Sequence, residues 1–366
     1  DSNGILLKFI DKKELSILNQ IKNLNNFFYN KNVEKNLEYF LEQIKPDVAH
    51  LHIFYGVLSN AILKVLKDKN IPIIMSVHEY KMLCPSYTFL NGNGEICERC
   101  KGRKYYNAVI YKCLKNNIPF SMVSALESYY RDIYTPYEKY IDKFIMVSNF
   151  INKKHLEFKP KLTGKTEVLY NFLNFKDYEL TSSPSHGYLL FFGRLSREKG
   201  IFTLIEAVKQ TNHKLLILGS GPEKEKIKEL IYSWENIELL GFKSGDELHK
   251  IIKGARFNVV PSEWYENKPL SVIESLALGT PVIGANIGGI PEIVITNETG
   301  FLFDSRSVES LTQILMDTNK IAQKTYLKLR EKSRAFAEKQ FSQETYYLNL
   351  MNIYKNAIKV NTEDNV

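Results

Sequence analysis

The 366 residues suffice for two domains of ordinary size, each burying its own core. At 44% hydrophobic and 25% charged the composition is that of a soluble globular protein; no apolar run approaches the ~18 residues of a membrane-spanning helix, and no signal peptide is visible. A net charge of +8 admits nucleic acid, anionic lipid or a phosphate-bearing substrate as partner, and charge alone does not choose among them.

The chain opens at Asp1 rather than Met, as expected of a processed product or a fragment. From Asp1 to Glu34 the pattern is mostly helical and rich in Lys and Asn, with no glycine-rich opening strand, so the first domain is expected to lack its N-terminal strand. Short apolar runs then alternate with amphipathic stretches, which predicts βα units around parallel sheets. The first half offers strands at Val48–His52, Ile73–Val77, Phe144–Val147 and Glu167–Leu169. The second offers Tyr188–Phe192, Leu215–Leu218, Ile237–Leu240, Phe257–Val260 and Pro281–Ile283, with helices at Phe202–Gln210, Glu223–Trp234 and Gly245–Lys253 between them. Turn formers gather between Phe172 and Gly187, in TSSPSHG, and mark the boundary between a first domain at 1–172 and a second at 173–342. Helical spacing of Tyr346, Leu350, Ile353 and Tyr354 predicts a last helix within 343–366 that packs back on the first domain, followed by a frayed tail, NTEDNV. The fold class is α/β, two facing doubly wound Rossmann-like domains.

Pro261–Ile283 reads PSEWYENKPLSVIESLALGTPVI. Pro269 suits the first position of a helix, where its missing N–H has no partner to lose; Gly279 falls past the helix end and Pro281 begins the next strand. Glu266 is thus expected in the loop before the helix and Glu274 about five residues into it, ~7.5 Å along the axis. Placed end to end, they do not resemble the pair of a glycoside hydrolase, whose carboxyl groups converge to roughly 5–10 Å across a bond. Free N–H groups and the dipole at a helix start attract anions, so the amides near Leu270 and Ser271 are expected to hold a phosphate. Glu274 then faces a group such as ribose hydroxyls, and Glu266 a sugar on the other side of the phosphate. Taken alone, the two glutamates read as a solvated helix-start residue and a surface residue; Glu263, earlier in the loop, is expected only to be solvated.

ENKPLSVIE resembles the E-x7-E motif of retaining, two-domain (GT-B) glycosyltransferases of family 4. FFGRLSREKG at Phe191–Gly200, LLILGSGPEKEKI at Leu215–Ile227, IELLGFKSGDEL at Ile237–Leu248 and GGIPEIV at Gly288–Val294 follow in the family's order. So, in the first half, do PDVAHLH at Pro46–His52, HEYKMLCP at His78–Pro85 and FIMVSNF at Phe144–Phe150. The resemblance implies that Gly193, Arg194 and Lys199 meet the donor diphosphate, where fixed positive charge eases departure of the leaving group. It implies that the backbone around Phe242 and Lys243 reads the nucleobase and that His78 lies beside the transferred sugar, with Glu79 where many members carry Asp. GSGP at Gly219–Pro222 lacks the full dinucleotide pattern and is either a ligand contact or a plain strand-to-helix turn. His50 and His52 are expected to serve packing or the cleft between domains. The implied chemistry retains anomeric configuration and, there being no D-x-D, needs no metal or other cofactor.

All four cysteines, Cys84, Cys97, Cys100 and Cys113, lie in an insertion at 84–113 with spacing C-x12-C-x2-C-x12-C, which suits a closed structural zinc site; reduced thiols or disulfides are the alternatives. Around and after the last of them, KGRKYYNAVIYKCLKNN and SYYRDIYTPYEKYIDKF mix Lys, Arg and Tyr, which suits an anionic membrane surface or an ordinary helix with a tyrosine-lined core. No nucleic-acid-binding module is recognisable. The expected activity is transfer of a hexose from a nucleoside-diphosphate sugar to a glycan or lipid-linked acceptor in cell-surface polysaccharide synthesis, in the cytoplasm or peripherally on the inner membrane face. A non-catalytic partner subunit that binds nucleotide sugar remains open, as does a nucleotide-sugar epimerase of the same fold, against which GFKS and E-x7-E argue.

Overall fold

The computed structural model describes residues 26–56, 58–178 and 187–363. The expected helical start up to residue 25, the question of a missing first strand, and most of TSSPSHG lie outside the described residues.

Two parallel sheets carry the chain. The first runs in the order β1 (Ala49–His52), β2 (Ile73–Val77), β3 (Lys143–Met146), β4 (Thr166–Val168). Its central strand, IIMSV, is buried throughout, as a parallel strand covered on both faces must be. The second contains β5 (Leu189–Phe192), β6 (Leu215–Leu218), β7 (Ile237–Gly241), β8 (Phe257–Val260), β9 (Val282–Ala285) and β10 (Gly300–Phe303), in the order β10-β9-β8-β5-β6-β7. That order reverses direction at β5 and β8, which pair at Leu189–Phe257 and Leu190–Asn258. Ligands bind outside the carboxyl ends of strands at such a switch point.

Most strands lie within one residue of their expected bounds, and the larger differences fall at the last two. β9 starts at Val282 instead of Pro281, whose carbonyl still accepts from the Asn258 amide although its nitrogen has nothing to donate. β10 goes unpredicted because GFLF is short, begins with glycine and shows no alternation. Gly300 is needed there: a Cβ would stand 1.7 Å from the Val282 carbonyl oxygen.

The last helix, Gln343–Glu363, extends into the expected frayed tail, of which the final three residues lie outside the described ones. Its Ile353 and Ala357 pack with Ile74, Ile145 and Leu169 of the first sheet. Among the described residues no helix is long and apolar enough to cross a membrane. The two sheet units meet through side chains. The Glu292 carboxylate accepts from the amides of Asn149 (2.9 Å) and Phe150 (2.5 Å), at the start of the helix Asn149–Phe158. Acceptance at a helix start uses the orphan donors and the favourable end of the dipole.

Candidate active site

β5 delivers Gly193 and Arg194 to the rim of the second sheet, and the turn Arg197–Lys199 brings Lys199 in beneath them. Behind them runs the helix Leu270–Ala277, with Pro269 as its extended N-cap. A cavity of about 320 Å³ is lined by Gly193, Arg194, Lys199, Glu266, Leu270, Ser271 and Glu274 among others. The structure thus brings together every second-domain residue assigned to the phosphates and sugar. The Lys199 ammonium lies 2.6 Å from the buried Glu266 carboxylate, which also accepts from Ser262 Oγ at 2.8 Å. Glu274 lines the cavity without an ion pair among the described residues, and burial pushes its carboxyl pKa up. Arg194 is exposed at the mouth.

An adjoining cavity of about 500 Å³ shares Phe192, Gly193 and Arg194 and continues over Gly219–Pro222 to Phe242 and Lys243. Phe242 is 71% exposed, so its ring is available to a ligand, while Lys243 pairs with Glu247 at 2.6 Å. GSGP lines this cavity, and its glycines permit close backbone approach. A Cβ on Gly219 would fall 1.8 Å from the Gly193 carbonyl oxygen.

Glu263 needs correction. It is half-buried, accepts from Thr203 Oγ1 at 2.6 Å and faces Arg306 at 3.8 Å, so it ties the loop down and is not merely solvated. The same loop crosses to the first sheet, where Asn267 Nδ2 donates to the His78 carbonyl. Lys268 is buried over the Tyr170 ring, and burial lowers its pKa to about 6.

On the first-domain side, His78 follows β2 and forms a 2.9 Å hydrogen bond from Nε2 to Nδ1 of His52. His50 and His52 are two residues apart on β1, so they share a face; their rings stand 4.3 Å apart. His50 is held by Tyr354 (2.7 Å) and Ser76 (2.8 Å). Burial lowers the pKa of all three, that of His50 to about 4, so the group is neutral at pH 7. The His52–His78 bond then needs one nitrogen with hydrogen and one without, which couples the tautomers of the two rings. Sequence reasoning missed this coupling, as it missed Asn267 and Glu292. The H-x-H of AHLH was the available signal; the other two are long-range contacts with no local pattern.

Cys84 and Cys100 are buried, Cys97 and Cys113 half-buried, and all four are free thiols. They share one neighbourhood. Burial and the nearness of the other three raise the pKa of Cys100, and burial with Cys84 and Cys97 raises that of Cys113 to about 12. As the side chains stand, no three His, Cys, Asp or Glu among the described residues are grouped to hold a metal ion. Glu98, inside the C-x2-C, reaches across to the second domain and accepts from Tyr265 OH at 2.8 Å, next to Glu266.

Two parallel-sheet domains, with cavities at the carboxyl ends of the second domain's strands, define a GT-B architecture. Comparison with known proteins agrees. Residues 178–339 match the family described as glycosyl transferases group 1. An uncharacterised glycosyltransferase of Methanocaldococcus jannaschii is 31% identical over 218 residues, 58% of this chain and 59% of its own length. Lipopolysaccharide 1,2-N-acetylglucosaminetransferase of Salmonella typhimurium is 30% identical over 43% of this chain and 45% of its own. The chain thus spans about half the length of the curated relatives it matches. Among solved structures, sucrose-phosphate synthase from Thermosynechococcus elongatus superposes with a TM-score of 0.68 at 20% identity, over 93% of this chain and 80% of its own. The Anabaena protein HepE, solved with UDP, gives a TM-score of 0.65 at 16% identity, over 88% and 82%. The chain has the GT-B fold, and its second domain is similar in sequence to the group 1 glycosyl transferases.

Proposed function

We propose that the chain is a retaining glycosyltransferase that moves a hexose from a nucleoside-diphosphate sugar to a glycan or lipid-linked acceptor in cell-surface polysaccharide synthesis. The supporting observation is the convergence of Arg194, Lys199, Glu266 and Glu274 on one cavity at the start of the helix Leu270–Ala277. The diphosphate sits against Arg194, Lys199 and the amides of Leu270 and Ser271, Glu274 holds the ribose, and the backbone near Phe242 and Lys243 meets the base. Glu266 keeps the Lys199 ammonium in place and faces the sugar. His78, brought against the same loop by Asn267, borders that sugar from the other side. The bond from the anomeric carbon to the diphosphate breaks, the acceptor oxygen bonds to that carbon on the same face, and the departing phosphate oxygen takes the acceptor's proton. The protein contributes positioning and fixed charge. Named relatives that are glycosyltransferases, and a fold neighbour solved with UDP-glucose, support the same reading.

The test is donor consumption with UDP-, GDP- and ADP-sugars across a panel of glycan acceptors. Consumption that requires acceptor supports the proposal; thermal stabilisation by the nucleotide sugar without any consumption supports the binding subunit instead.

We also propose that the four thiols hold a structural zinc ion, drawn in by their spacing and shared neighbourhood. The donor set suits zinc, and the metal would brace the knuckle that carries Glu98 to Tyr265. The purified chain is expected to carry about one zinc per chain and to release it only when its thiols are modified. Four freely reactive thiols without metal, or two disulfides, would refute it.

A further inference from the structure

The helix Ile118–Tyr134 is inverted. The face it turns inward carries Ser121, Ser124, Glu127, Ser128, Arg131 and Asp132, all buried. Beneath them an ion network closes: Lys81 to Glu127 at 3.0 Å, Arg131 to Glu127 at 3.3 Å and Lys159 to Asp132 at 3.0 Å. Every fully exposed residue of the helix, by contrast, is apolar or aromatic. Ile118, Met122, Leu126 and Ile133 fall in one stripe at helical spacing, between 46% and 63% exposed, while Phe120 and Tyr134 are exposed near the two helix ends. A surface helix normally shows the opposite arrangement, because apolar area in water is unfavourable and buried charge is costly. Contiguous exposed apolar area on a helix marks a face with a partner.

The charge around this face identifies the partner. Between Glu98 and Glu127 the chain has no acidic residue and six cations, Arg99, Lys101, Arg103, Lys104, Lys112 and Lys115, all exposed. Lys101 and Arg103 also meet Glu157 and Asp132, and Lys115 lies 5.0 Å over the exposed Phe120 ring. Tyr106 and Ile110, 51% and 63% exposed, extend the apolar area into this cationic loop. Cations interleaved with aromatic and aliphatic side chains match an anionic bilayer surface: the apolar groups enter the headgroup boundary while the ammonium groups stay at phosphate level. A protein partner for the same stripe would need many acidic groups around an apolar centre, which a second copy of this segment does not offer.

We propose that the outer face of the helix Ile118–Tyr134, with the loop Arg99–Lys115, docks the first domain on an anionic membrane. The full chain is sedimented with vesicles of neutral phosphatidylcholine and with vesicles containing roughly one-third phosphatidylglycerol, at low and high salt. Binding at least about tenfold stronger to anionic vesicles, weakened by salt, is expected. Met122→Asp with Leu126→Asp, and separately Lys112→Glu with Lys115→Glu, should each lower it about tenfold or more with unchanged circular dichroism. Equal pelleting with both vesicle types, or variants that bind like the parent, would overturn the proposal. So would a homodimer that Leu126→Asp dissociates, which would assign the face to a second copy. An environment-sensitive dye at Leu126→Cys that is shielded before vesicles are added would overturn it too, by showing that the chain covers the face itself.

Discussion

The two sides of the cleft are built by different means. On the second-domain side, backbone is pressed against backbone: Gly219 against Gly193, Gly200 against Pro261, and Gly289 against Asn267, whose carbonyl oxygen a Cβ would approach to 1.9 Å. The charged groups ride on this frame within a few residues of a strand end or a helix start. On the first-domain side, by contrast, His50, His52 and His78 are assembled from two strands and the last helix, and each is held by a side chain distant in sequence. A frame of close backbone contacts is rigid and local. An assembly of side chains is adjustable and depends on how the two halves meet.

If the second-domain side supplies the fixed charge, removing it should cost most. Lys199→Ala is expected to lower turnover by roughly a hundred- to a thousandfold, the scale seen when one preorganised charge donor is lost. It also strands the buried Glu266 without its cation. Measurement of kcat and KM separates the two effects, and a loss confined to KM would place Lys199 in ground-state binding alone. Turnover within a factor of a few of the parent would remove Lys199 from the site.

This contrast also explains what the sequence made legible. Arg194, Lys199, Glu266 and Glu274 were readable because each sits at a fixed offset from a glycine turn or from Pro269, and those offsets survive folding as short distances. The strands followed from apolar runs, except at Gly300–Phe303, where four residues beginning with glycine carry too little pattern. The link between His52 and His78, 26 residues apart, depends on the parallel pairing of β1 with β2, which places His52 opposite Ser76. No local rule supplies that register. Glu263 was misread for the same reason: its partners, Thr203 on the helix Ile201–Lys209 and Arg306 after β10, are distant in sequence. The inverted helix was half legible, since the Lys, Arg and Tyr content of the segments around it was plain while the buried ion network beneath it was not.

A smaller effect is expected on the adjustable side. His52→Phe keeps a flat ring against His50 and removes the hydrogen-bond partner of His78. Turnover should fall by about tenfold, less than the roughly hundred- to ten-thousandfold of a group that itself transfers a proton, because His52 acts only through His78. Because the lowered pKa of His78 arises first from burial and then from the His52 charge, the acid limb of the pH–rate profile should also move. A purely structural role for His52 would lower activity without moving that limb. Nitrogen-15 spectra of the imidazoles give a second reading, since His78 should change from one tautomer to a mixture.

The smallest effect expected is on stability, through His50. Its pKa is lowered from 6.5 to about 4, first by burial and then by His52 and His78, while its ring nitrogens meet Tyr354 and Ser76. In the unfolded chain the imidazole takes up its proton near pH 6.5; in the folded chain it does so only near pH 4. The unfolded state therefore binds more protons in between, and stability falls as pH drops through that window. Partial exposure of the ring reduces the effect to on the order of 1 kcal/mol. His50→Gln, which keeps a donor and an acceptor, should lose less urea stability than the parent between pH 7 and pH 4.5. Since Tyr354 lies on the last helix and Ser76 on β2, the same protonation should loosen that helix first, and amide exchange should quicken there before it does in the second sheet. If exchange quickens equally in both sheets, the histidine group belongs to the same rigid frame as the donor side, and the distinction between the two halves of the cleft fails.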